Sequence, residues 1–122
     1  MSPPDGPPED VPLDGPETVA EERLLASLGR HARAVNLARV VRLLELLDSC
    51  DAGALDGPGR HEAENLAHQV VGSAGTFGFP AASVDAVGVE EYFGADPPGS
   101  GSSADAGLVR RTLDRLRAEF AG

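Results

Sequence analysis

From Val35 to Leu47 the apolar residues Val35, Val40, Val41, Leu43, Leu44 and Leu47 recur at the three-and-four spacing of one helix face, and no stretch of the chain alternates apolar with polar residues as a half-buried strand requires. A chain patterned this way has to bury its apolar surface helix against helix. Thr18 followed by Glu21 forms a capping box ahead of Leu24, Leu25 and Leu28, and Gly29 is a plausible stop for a short helix. A second helix is expected from about His31 to Asp48, then an Asp- and Gly-rich loop from Asp51 to Gly59. A third should run from about Arg60 to Thr76, and a fourth from Pro80, which suits a first helical turn, to near Phe93. Gly94 to Ser103, with Pro97, Pro98, Gly99 and Gly101, reads as a flexible connection. Ser103 then caps a last helix that buries Leu108, Val109, Leu113, Leu116 and Phe120. The predicted fold is all-α: an antiparallel four-helix bundle over residues 18–122, with an additional short N-terminal helix.

Composition narrows the function. Residues 1–16 hold six of the ten prolines, and residues 1–17 carry five acids and no base, so a disordered Pro/acid-rich tail is expected over 1–17. The whole chain has a net charge of −10, and half of that belongs to the tail. So acidic a chain is ill suited to gripping phosphate backbones, which disfavours nucleic acid. No apolar run approaches the length of a membrane span and no signal pattern opens the chain, so neither a membrane nor export is expected. Cys50 is the single cysteine, so there is no internal disulfide, and a cytoplasmic location is expected. All ten basic residues are arginine, which excludes lysine chemistry of every kind. A start methionine and a disordered leader favour a free protein over a piece of a larger kinase.

The informative stretch is His61-Glu-Ala-Glu-Asn-Leu-Ala-His68-Gln-Val-Val-Gly-Ser-Ala-Gly-Thr-Phe-Gly-Phe79. On a wheel with His68 at zero, Gly72 falls at about +40°, Gly75 at about −20° and Glu64 at about −40°, while Leu66, Val70, Ser73 and Phe77 gather on the opposite side. His68 therefore points to solvent, and the next turns on its face carry only glycine. Each mid-helix glycine costs about 0.5–1 kcal/mol relative to alanine, so the pair needs a reason. Together they clear a strip on which a large partner can approach the imidazole, a good nucleophile near neutral pH.

The run Ala67-His68-Gln69-Val70-Val71-Gly72-Ser73-Ala74-Gly75-Thr76-Phe77-Gly78-Phe79 resembles the phosphorylation-site helix of histidine phosphotransfer (HPt) domains, whose usual pattern is Ala-His-x-Leu-Lys/Ala-Gly-Ser followed by a later Gly. The resemblance implies a four-helix bundle whose exposed histidine carries a phosphoryl group between receiver-domain aspartates in a multistep phosphorelay. His68 matches the phospho-acceptor and Gly72 the small residue that admits the partner. Gln69, Gly75, Val71 and Glu64 border the site: Gln69 in reach of the phosphoryl group or the partner, and Glu64 as a weak candidate for holding the ring. The implied partners are response-regulator receiver domains and a hybrid sensor histidine kinase. The divalent metal belongs to the receiver, so this chain is expected to need no cofactor or metal and to have no turnover of its own. Two departures stand out. Val71 occupies the place where many members carry Lys, so the partner has to neutralise the phosphoryl charge, and Gly88 lies inside the fourth helix, where it can weaken or kink it.

Other readings compete. The same face could dock a receiver or kinase without chemistry, as a non-catalytic helical interaction module. His61, Glu64 and His68 could be read as metal ligands, although i to i+7 spans about 10 Å of helix. Cys50 reads as an inert thiol, Phe77, Phe79 and Phe93 as core or loop anchors, and Ser73 as a packed or back-bonded hydroxyl. Arg39 or Arg42 of the preceding helix is expected to contribute to the partner surface.

Overall fold

A computed structural model describes residues 16–101 and 103–122. They form four helices, α1 (Pro16–Asp51), α2 (Gly57–Thr76), α3 (Pro80–Gly94) and α4 (Ala106–Ala121), and among the described residues there is no strand. No helix among them is long and apolar enough to cross a membrane.

Local chemistry sets the boundaries. Asp56 precedes α2 in an extended conformation, its carboxylate accepts the Gly59 amide at 2.7 Å, and Pro58 occupies the first turn, where its missing N–H is not needed. The α2–α3 turn takes three residues. Gly78 there adopts a φ of +92°, and the Phe77 and Phe79 amides return to the carbonyls of Ser73 and Ala74. Asp105 caps α4 by accepting the Leu108 amide at 2.7 Å, so the expected cap at Ser103 lies two residues too early.

The extra N-terminal helix is not separate. Helix α1 is continuous over 36 residues and passes straight through Gly29, whose φ is not positive. A lone glycine weakens a helix by about 1 kcal/mol but does not end it unless it turns left-handed or a proline follows. Here neither happens. The helix also starts at Pro16, so Thr18 lies inside it rather than at its cap, and the first two residues of α1 belong to the stretch expected as tail. The remainder of that expected tail, 1–15, lies outside the described residues. Gly88 produces no break in α3, and a Cβ there would meet nothing.

One core joins the four helices, with Val40, Leu43 and Leu47 of α1, Val70 of α2, Phe93 of α3, and Leu113, Leu116 and Phe120 of α4 nearly or fully buried. The buried face of α2 is mostly alanine, Ala63, Ala67 and Ala74 beside Val70, and α3 buries Ala82 and Ala86 in its first turns ahead of Val89, Tyr92 and Phe93. Small side chains let the two backbones approach closely. Ser83 Oγ donates to the Val71 carbonyl at 2.7 Å, and Arg60 of α2 donates to the Phe93 carbonyl at 3.0 Å. Helix α1 meets α2 through Asn36, fully buried, which donates to Ser73 Oγ, and through Arg42, which binds Glu62. Helix α4 meets α1 where Arg110 binds Asp48 and Asp51. Phe79 packs edge-on against Phe120, and the Arg33 guanidinium lies over the Phe79 ring. Contrary to expectation, Leu108, in the first turn of α4, is exposed. Leu24, Leu25 and Leu28 are exposed as well, where α1 runs on past the end of the bundle.

Candidate functional site

The buried stripe of α2 is Ala63, Ala67, Val70 and Ala74. His68 follows Ala67 by one residue, about 100° round the helix, which carries its ring out of the core and onto the edge nearest α3. Its side chain is 74% exposed. On α3 the same offset applies: Val89 is buried and Glu90, the next residue, emerges beside α2. The close α2–α3 approach brings the two polar groups together, with His68 Nδ1 2.9 Å from Glu90 Oε2.

That contact has a chemical consequence. A carboxylate accepts only, so in a neutral imidazole the nitrogen beside Glu90 carries the proton and donates it. The other nitrogen, Nε2, keeps its lone pair and faces water. Glu90 thus selects the tautomer, orients the ring and places negative charge where a cationic ring would be stabilised.

Sequence reasoning gave the orienting role weakly to Glu64, and the structure gives that geometry to Glu90 instead. Glu64 turns the other way, with Oε1 3.9 Å from both Arg60 and His61 Nδ1 and its carboxylate against Gly94. No spacing rule could have found Glu90, because the pair is made between two helices. The only available signal was that Glu90 adjoins the last buried turn of the helix that follows the His68 helix.

The two glycines prove different. A Cβ at Gly72 would meet nothing within 4 Å, so no internal packing demands glycine there. At Gly75 a Cβ would lie 3.3 Å from Ser83 Oγ, so that glycine serves the close α2–α3 contact. Both are exposed, as is Gln69, on the face that carries His68, whereas Val71 is half-buried against the core. Ser73 accepts from Asn36 rather than back-bonding, and it is Thr76 that returns a hydroxyl to the Gly72 carbonyl, at 2.9 Å.

Arg39 and Arg42 do not converge on His68. Arg39 donates to Asn36 Oδ1 at 2.8 Å, and Arg42 chelates Glu62 while also reaching Glu45. These bonds hold the Glu62 carboxyl below its ordinary range, chiefly through the Arg42 hydrogen bonds, and raise the Arg42 guanidinium further above its own. Glu90 is thus the charged group that meets the His68 ring. As for metal ligation by His61, Glu64 and His68, the described residues contain no group of three or more His, Cys, Asp or Glu side chains arranged to hold an ion.

The Hpt domain family model matches residues 22–119. The chain belongs to the Hpt domain family. Hpt domains are helical bundles that serve histidine phosphotransfer in two-component systems, as phosphocarriers rather than enzymes, and the four helices and single core described above fit that architecture. No curated protein and no solved structure matches the chain.

Proposed function

We propose that this Hpt domain is the phosphocarrier of a multistep phosphorelay, with His68 as the acceptor, taking its phosphoryl group from a receiver-domain aspartate or a hybrid sensor kinase and passing it to another receiver. The observation that carries this reading is the exposed His68 ring with Nδ1 engaged by Glu90 and Nε2 open to water. In the forward step the Nε2 lone pair attacks the phosphorus of an aspartyl phosphate in line. The P–N bond forms as the P–O bond to the aspartate breaks, and the aspartate carboxylate leaves with the electron pair. The ring keeps its Nδ1 proton and acquires positive charge, which the Glu90 carboxylate offsets. Attack by the next receiver aspartate on the same phosphorus reverses the balance and returns His68 to the neutral tautomer.

Positioning supplies most of what this chain contributes. Gly72 leaves room beyond the ring, and Gln69, Gly75, Val71 and Glu64 form the border a receiver would contact. Because the charged group at the ring is Glu90, and Arg39 and Arg42 are engaged elsewhere, the positive charge that steadies the phosphoryl group comes from the partner. The pairings of Asn36 with Ser73, Arg42 with Glu62, and Arg60 with the Phe93 carbonyl support reading the bundle over 18–122 as antiparallel. A cytoplasmic setting, where receiver domains work, goes with this reading.

The test is phosphotransfer from a phosphorylated receiver domain to wild type and to His68→Gln. Acid-labile label on the wild type alone is the expected result. Equal label on both sinks the proposal, and receiver binding with no label on either leaves the chain as a docking module without chemistry.

A further inference from the structure

Helix α1 extends beyond the end of the bundle. Leu24 and Leu25 are 59% and 66% exposed, Leu28 is 42% exposed, and every described side chain from Val19 to Leu28 is exposed. An isolated helical arm of three or four turns is marginal in water, and three leucines on one side are a further cost unless something covers them. The arm has the pattern of a partner helix. Glu21, Leu24, Leu28, His31 and Val35 follow one another at alternating spacings of three and four, the a/d seam of a coiled coil, with Leu25 beside it.

We infer that a second copy of this chain covers the arm, pairing antiparallel about a two-fold axis near residue 26. In that register Leu24 of each copy lies opposite Leu28 of the other, and Leu25 faces its own counterpart. The charges select this direction. The arm carries Glu21 and Glu22 towards its tip, with Arg23 beside them, and Arg30 and His31 without an acid towards its root. Antiparallel pairing sets Glu21 opposite His31 and Glu22 level with Arg30, while parallel pairing stacks like on like. The two-fold arrangement is closed, so it stops at a dimer.

A groove of about 180 Å³ continues the seam where the arm joins the bundle, lined by Leu28, His31, Val35, Arg39 and Phe77 among others. It lies where the tip of the second arm arrives, and Phe77, 38% exposed, is the apolar contact it offers to Val19 of the other copy. The paired surface is narrow compared with the roughly 800 Å² per partner of a standard interface, so a weak, concentration-dependent dimer is expected.

Sedimentation velocity on the full chain over a wide concentration range reads this directly. Wild type should shift from monomer towards dimer as concentration rises, and Leu24→Glu and Leu28→Glu should stay monomeric, with thermal unfolding of the four-helix bundle unchanged. Cross-linking fixes the direction. In a Cys50→Ala background, Ser27→Cys, beside the axis, should oxidise to a linked dimer, whereas Ala20→Cys, far from it, should not. A wild type that remains monomeric at hundreds of micromolar, a Leu24→Glu variant that still dimerises, or a chain that links through Ala20→Cys would each overturn the inference.

Discussion

Glu90 holds Nδ1 of His68 at 2.9 Å, a contact between neighbouring helices made by residues 22 apart in the chain. It gives a solvent-facing imidazole, which would otherwise rotate and exchange tautomers, a fixed orientation with Nε2 as the open nitrogen.

Removing that carboxylate should slow chemistry without harming the fold. A hydrogen bond to a charged group contributes about 1.5–3 kcal/mol, so Glu90→Ala should lower the rate of phosphotransfer to His68 by about 10- to 150-fold. Thermal unfolding should move little, because both side chains stand at the surface. Rapid-quench transfer kinetics beside a melting curve check both halves, and an unchanged rate would remove Glu90 from the mechanism.

The two glycines of the His68 face should respond in opposite ways. Gly72→Ala adds a methyl group to open space and improves helix propensity, so stability should rise by about 0.5–1 kcal/mol. Gly72→Leu should fold as well yet transfer more slowly, because the added side chain occupies the approach to the ring. Gly75→Ala should gain nothing, since its methyl group presses on a Ser83 hydroxyl already committed to the Val71 carbonyl. Urea unfolding of the three variants, with transfer assays on the Gly72 pair, separates access from packing.

Asn36 is the buried polar link between α1 and α2, donating to Ser73 and accepting from Arg39. Asn36→Ala leaves both partners short of a bond inside the protein. A loss of about 1–3 kcal/mol is expected in denaturant unfolding, whereas a loss below about 0.5 kcal/mol would show that water replaces the side chain.

Tyr92 is the only tyrosine, so its ionisation can be followed without ambiguity. Burial first, then the neighbouring Cys50 thiol, push its phenol above the ordinary value of 10.0. A raised native value means that the fold favours the protonated form. This stabilisation is complete below pH 10 and is lost as pH climbs through the native value. Phenolate absorbance should therefore appear above pH 10, together with loss of structure. Ordinary titration at 10.0 with the helices intact would contradict the burial of the ring.

Much of this was legible in the amino-acid sequence. The apolar spacing of Val40, Leu43 and Leu47 announced a buried helix face, and the solvent-facing direction of His68 followed from Leu66 and Val70 on the opposite side of the same helix. These are properties of one helix, which a wheel captures. What escaped it depends on relations between helices or on the fine balance at a helix end. Glu90 reaches His68 only because α2 and α3 pack closely, and Gly75 differs from Gly72 only because Ser83 stands opposite. Gly29 looked like a stop by residue type, but the residues after it continue the helix and the break never forms.

The account rests on which atom takes the phosphoryl group. Long-range proton–nitrogen NMR spectra of the uniformly ¹⁵N-labelled chain, recorded before and after phosphorylation by a receiver domain and repeated on His61→Gln and His31→Gln to assign the ring signals, identify it directly. The predicted result is a phosphorylation-induced change at Nε2 of His68, with the Nδ1 proton retained. Phosphate on Nδ1 of His68, on another histidine, or on no histidine at all would contradict the account.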